Sequence, residues 1–209
     1  MGKNVLLDKQ KGIKERNQLQ IKGIIWCNDC ERTFNEPDTF SKNFFENKYG
    51  IESTNEEDKY LGKKPKTSKY KSACIELLYN FVISVVIRHD QYLRSKNDPS
   101  ILGPKVQDFI CKWKNGKLLE DFDILIQKLD GLDGYIEYPF RYKYDEKNTI
   151  RLFLESHIFI ILTDQRKFNN KINSQLEKIK SGEIFEIHYE HSPLMTKILE
   201  NFEELRNRN

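Results

Sequence analysis

Tyr70 to Leu93, YKSACIELLYNFVISVVIRHDQYL, is the longest apolar run in the chain, and one polar stripe cuts through it. Glu76, Asn80, Ser84 and Arg88 recur at intervals of four, and nearly everything between them from Ala73 to Ile87 is apolar. On a helix that spacing draws one narrow polar line along an otherwise apolar cylinder. A helix apolar over most of its circumference belongs in the middle of a domain, so the stretch predicts a long, buried central helix. Such a line arises wherever a core helix touches solvent or another backbone along one edge. Read as function, it would hold an anion, with Arg88 as the clamp. The line ends in Arg88-His89-Asp90, the one place where a basic group, an imidazole and a carboxylate are consecutive. If the chain carries catalysis of its own, these three residues are its candidates.

The 209 residues suffice for one sizeable core, and residues 1–209 are expected to form a single domain. A charged content of 32% is high, yet 12% of the residues are aromatic, 13 Phe and 10 Tyr among them, and these need an interior. The net charge of +3 is too small to announce a nucleic-acid binder by its overall field. Any basic patch has to be local, and Lys63 to Lys71, KKPKTSKYK, is the densest. No stretch reaches the roughly 20 apolar residues of a membrane span. MGKNVLLDKQKG at the start lacks a signal-peptide core, and Leu6 stands where a myristoylation site needs a hydroxyl residue. The expectation is a cytoplasmic protein with no membrane partner. The four cysteines agree, since two form a CxxC and two lie singly in helical patterns, with no disulfide framework.

Working outward from the central run, residues 1–50 read as a knuckle-like N-terminal piece. Residues 1–23 are a Lys-rich arm or short strand pair, and Gly23 to Glu31, GIIWCNDCE, is a short strand entering the CxxC. Pro37 and Asp38 open a helix bearing Phe40, Phe44 and Phe45, and Gly50 ends it. Residues 51–71, rich in Ser, Thr, Asn, Glu and Lys, read as a mobile loop. Residues 72–130 form the helical core. In it Asn97-Asp98-Pro99 makes a turn, Gly103-Pro104 starts a helix through Trp113, and a further helix runs from about Leu118 to Leu129. Residues 134–209 form an α+β part. Tyr135, Tyr138, Phe140, Tyr142 and Tyr144 mark one strand, and Thr149 to Leu162 a second, bulged near Glu155-Ser156. Ile184 to Tyr189 is a third strand. Asp164 caps an intervening polar helix, and Ser192-Pro193 begins a C-terminal one. The fold class is α+β, with a helical first half, a CxxC knuckle, a long buried central helix, a small antiparallel sheet and a C-terminal helix.

Cys27 and Cys30 are the sharpest chemical feature. Two thiols on one knuckle can grip a tetrahedral metal ion, which makes zinc the expected cofactor. Zinc wants four ligands, and the remaining donors (Cys74, Cys111, His89, His157, His188 and His191) are scattered. Trp26 ahead of the pair raises a redox reading, but Asp29 and Glu31 would raise a thiol pKa, so this is the weaker chemistry. A packed turn without chemistry fits the same residues. His157, alone in a β run, is expected to be a hydrogen-bonded core histidine. His188 and His191 would point to opposite faces of a strand and make a poor metal pair. Arg141 and Lys143 interleave with tyrosines, a pattern on which single-stranded bases stack, though aromatics at β spacing usually form core and cross-strand pairs.

GIIWCNDCERTFNEPDTFSKNFFENKYG, residues 23–50, resembles the second half of the treble-clef module of bacterial HNH-like proteins of uncertain function. In that family an H-[IV]-[IV]-P segment leads. A glycine, a short apolar strand, a C-x-x-C-E knuckle and an aromatic-rich helix follow. YNFVISVVIRHD, residues 79–90, is similar to the next helix there, an apolar run ended by Arg. The likeness covers roughly residues 12–93. It implies metal ligation by Cys27 and Cys30, and a setting in bacterial or phage conflict systems. No histidine precedes His89 here, so the family's general base or metal ligand for phosphodiester cleavage has no counterpart. The resemblance therefore implies a degenerate member that acts by binding nucleic acid or a protein partner, and the residues themselves, apart from the resemblance, offer Arg88, Arg141 and Lys143 as binding residues. A metal-dependent nuclease completed by a partner chain and a plain protein-interaction module are the alternatives.

Overall fold

The central run folds as a helix, Ser72–Ser95, as its apolar periodicity requires. The computed structural model describes residues 5–8, 12–15, 28–46, 52–55, 66–129, 135–144, 147–163 and 168–187. In chain order these are β1 (Val5–Asp8), β2 (Gly12–Glu15), α1 (Asn28–Phe45), β3 (Glu52–Asn55), β4 (Lys66–Lys69) and α2 (Ser72–Ser95). A 3-10 turn at Gly103–Lys105 leads into α3 (Val106–Lys114) and α4 (Leu118–Asp121). Then come β5 (Ile124–Leu129), β6 (Tyr135–Tyr144), β7 (Lys147–Leu154), β8 (His157–Leu162), α5 (Asn170–Lys180) and β9 (Glu183–Ile187). The class is α+β, as the sequence indicates.

Seven large side chains of α2 (Ile75, Leu78, Tyr79, Val82, Ile83, Val86 and Ile87) have no exposed surface. Burying a side chain of this kind contributes about 1.5–3 kcal/mol, so α2 is the main apolar investment of the fold. Its length and composition would also let it cross a bilayer, but here its apolar sides face protein. It ends in a Schellman arrangement: Asp98 N–H donates to Leu93 C=O and Asn97 N–H to Arg94 C=O, with Asn97 at φ 59°. α1 starts earlier than the Pro37 expected from sequence, and Pro37 lies inside it. Phe34, Phe40 and Phe44 bury one face of α1, which packs along α2.

The sheet is larger than expected and mixed rather than antiparallel. Its nine strands run in the order β2-β1-β6-β7-β8-β5-β9-β4-β3. β1 pairs with β6 and β5 with β9 in parallel, and all other neighbours are antiparallel. Three sequence expectations change accordingly. The predicted helix Leu118–Leu129 stops at Asp121, and Ile124–Leu129 is a strand hydrogen-bonded on both sides. The region 51–71 supplies β3 and β4, so the first half of the chain is not purely helical. Thr149 to Leu162 is two strands, reversed at Glu155-Ser156 with Glu155 at φ 55° and Leu154 paired to His157. β7 from Thr149 on and all of β8 are buried, so neither shows the alternation that would reveal the turn. β6 bulges between Glu137 and Phe140, where Pro139 cannot donate a ladder hydrogen bond. The expected C-terminal helix from Ser192 lies outside the described residues. One contiguous apolar cluster runs from Phe40 through α2 and the sheet to Ile184.

Candidate functional site

The three consecutive candidates at the end of α2 take separate directions. Arg88 forms a two-pronged ion pair with Asp38 of α1, Nη1 to Oδ2 at 2.8 Å and Nη2 to Oδ1 at 2.6 Å. Its guanidinium also lies 4.8 Å from the Phe34 ring centre. Two more residues of the polar stripe are engaged as well. The Ser84 hydroxyl donates to Phe81 C=O at 2.6 Å, and Asn80 Oδ1 accepts from the indole N–H of Trp113. Glu76 is exposed. The stripe is thus the seam along which α1 and α3 meet α2.

His89 is buried flat against Tyr138 of β6, ring centres 4.9 Å apart at 7°, and its Nδ1 has no hydrogen-bond partner. Burial lowers its pKa from the ordinary 6.5 to about 4, with the Asp90 charge opposing. The imidazole is therefore neutral at physiological pH. Asp90 has no exposed surface and turns the other way. Its carboxylate accepts from Arg94 Nε at 2.7 Å, the Ser100 hydroxyl at 2.5 Å and Leu102 N–H at 2.8 Å. Burial alone would raise its pKa. The Leu102 amide, the Ser100 hydroxyl and Arg94 outweigh that and hold it below the usual carboxylate value. Asp90 thus organises the turn after α2.

Cys27 lies outside the described residues, as do His188 and His191. Cys30 falls in the first turn of α1, and its side chain, like that of Lys143 on β6, is outside the described part. Among the described residues no three His, Cys, Asp or Glu side chains gather as a metal centre. The two described histidines, His89 and His157, are packed against aromatic rings. Arg141 is exposed, and its guanidinium reaches the turn after α2, donating to Ile101 C=O and Ser100 C=O at 3.1 Å each.

A second polar cluster escapes sequence reasoning. The pairing registers put Ser68, Lys128, His157 and Glu186 on one sheet face, although four different strands supply them. The Ser68 hydroxyl donates to Glu186 Oε1, and Lys128 Nζ stands 3.5 Å from the same oxygen. The Tyr70 and Ser156 hydroxyls meet the two ring nitrogens of His157 at 3.3 Å each. Phe44 and Phe45 of α1 close over that ring. Burial and then the Lys128 charge lower the His157 pKa to about 3. Burial and then Glu186 push the Tyr70 phenol far up, against the Ser68 hydroxyl. Ser68 at 0% exposure, His157 at 3% and Glu186 at 8% are buried, and only the Lys128 side chain of the four is partly exposed. The cluster satisfies polar atoms beneath α1. The signal available in sequence was a polar residue inside each of three apolar runs, ILIQKL, ESHIFIIL and IFEI. The chain matches no family model, no curated protein and no solved structure.

Proposed function

We propose that the protein is a degenerate HNH-like protein that acts by binding nucleic acid or a protein partner, in a bacterial or phage conflict setting. The family component rests on the resemblance of residues 23–50 and 79–90. The observation that supports binding over hydrolysis is Asp90. It is the only carboxylate of the candidate trio, it is fully buried, and it already accepts three hydrogen bonds. A carboxylate that positions a metal or activates water needs a free lone pair facing the substrate, and Asp90 faces the turn it holds. Arg88, paired with Asp38, is likewise turned to structure.

The test combines binding, cleavage and metal content on the full chain purified without chelator. Fluorescence anisotropy with single- and double-stranded DNA and RNA at low salt is expected to give micromolar, salt-dependent binding. No cleavage is expected with Mg²⁺ or Mn²⁺, and zinc near one per chain is expected to be lost in Cys27→Ser. Cleavage that disappears in His89→Ala or Asp90→Ala variants that still fold would overturn the reading in favour of a nuclease. Absence of zinc, with unchanged melting of Cys27→Ser, would remove the metal-knuckle component.

A further inference from the structure

We infer that Arg94 and Arg141, gathered at the turn Ser100–Gly103, form a phosphate-binding site, and that its ligand is a backbone phosphate of nucleic acid. This rests on the binding reading above and gives it a location. Arg94 leaves the last turn of α2, and Arg141 comes from β6. Arg94 Nη2 donates to the Ser100 hydroxyl at 2.8 Å and to Gly103 C=O at 2.7 Å. Arg141 Nη2 reaches Ser100 C=O at 3.1 Å and its Nε reaches Ile101 C=O at 3.1 Å. The turn fits closely around them. Gly103 sits at φ 58°, and a Cβ there would come within 3.1 Å of Arg141 Nη2. Two exposed arginines from distant parts of the chain are thereby fixed at one half-buried turn.

Their charges are unequally met. Arg94 pairs with Asp90, whose carboxylate is buried and fully engaged. Arg141 has only carbonyl partners, and among the described residues no carboxylate stands within ion-pair distance of it. Carbonyls orient a guanidinium without neutralising it. In both side chains Nη1 has no hydrogen-bond partner among the described residues, so each keeps an N–H edge for solvent or a ligand. A planar guanidinium matches phosphate oxygens in direction as well as charge. Being already held, these two lose little rotamer freedom on binding. Phosphate contacts position a nucleic acid and read no sequence, so the expected binding is tolerant of sequence and sensitive to salt.

The probes are pyrophosphate, in thermal melts at constant ionic strength set with chloride, and short single-stranded DNA and RNA oligonucleotides, in anisotropy across a salt series. Pyrophosphate is expected to raise the melting temperature of the wild type and not of Arg141→Ala. Arg141→Ala is expected to weaken oligonucleotide binding at least about fivefold and to lower the slope of log K against log salt by about one, with partial recovery in Arg141→Lys. A purely structural arginine would shift the melt of the free protein and leave affinity and slope of the folded variant unchanged. That result, with oligonucleotides still bound, removes the site and leaves the binding reading intact. Pyrophosphate stabilisation that depends on Arg141 without oligonucleotide binding keeps a phosphate site and removes the nucleic acid. Binding of neither probe removes the site and the nucleic-acid half of the binding reading, leaving a protein partner.

Discussion

Arg88 shows how a residue that looks chemical becomes architectural. In sequence it ends an apolar run beside a histidine and an aspartate. In the fold its two terminal nitrogens meet both oxygens of Asp38 on α1, with side-chain exposures of 18% and 45%. A paired guanidinium can still be catalytic, so the distinction needs an energy. Half-exposed ion pairs contribute little, but two-pronged geometry and a ring beneath the cation lift this one above the ordinary surface pair. In a double-mutant cycle of Arg88→Ala and Asp38→Ala, chemical denaturation should give a coupling of about 1 kcal/mol. A coupling indistinguishable from zero would free Arg88 from its structural role and reopen it as an anion clamp.

At the scale of elements, the helices and strands differ in how far their causes are local. α2 was legible because an apolar circumference with one polar line has a single stable solution, and its end is written locally too. Asn97 takes the left-handed conformation that closes the Schellman turn, a position where a side chain other than Asn is strained and glycine is not. Asn97→Gly should therefore leave thermal stability equal or raised, whereas Asn97→Val should cost about 1 kcal/mol or more in denaturant melts. Equal losses in both variants would mean that the Asn97 side chain, and not its backbone, holds the turn. β5 was not legible. Phe122, Leu125, Ile126 and Leu129 fall at helical spacing by coincidence, because a strand buried on both faces shows no alternation to contradict it. β4, the polar KTSK, gives no strand signal at all, since Thr67 and Ser68 point to opposite faces of the sheet and are both buried although polar. The polar cluster at His157 was hidden for a related reason. Its members stretch from Ser68 to Glu186 and share a face only through the strand order, which includes a parallel β5–β9 pairing that no local pattern encodes.

For the whole molecule, the two described histidines make acid the natural denaturant. Both are buried in connection with one core, His89 against β6 and His157 beneath α1. Both are held neutral, at about 4 instead of 6.5 for His89 and about 3 for His157. In the unfolded chain each takes up a proton near 6.5, so below that pH the unfolded state binds more protons than the native one. Stability then falls as pH falls. The full contribution is present above about 6.5 and declines until the native imidazoles titrate near 4 and 3. Asp90, held below its ordinary 3.8, adds its own loss only in stronger acid, as pH drops through its lowered folded value. Between pH 6 and 4.5 the limiting slope approaches two protons, on the order of 3 kcal/mol per pH unit, which is large against the usual 5–15 kcal/mol of a domain. Urea unfolding at closely spaced pH values should show a plateau near neutrality and a steep decline beginning near pH 6. His89→Phe keeps a flat ring against Tyr138 and removes one titration, so its decline should be about half as steep. A wild-type curve that stays level from pH 7 to 5 would mean that neither imidazole is held neutral by the fold, and the packing described around His89 and His157 would have to be wrong.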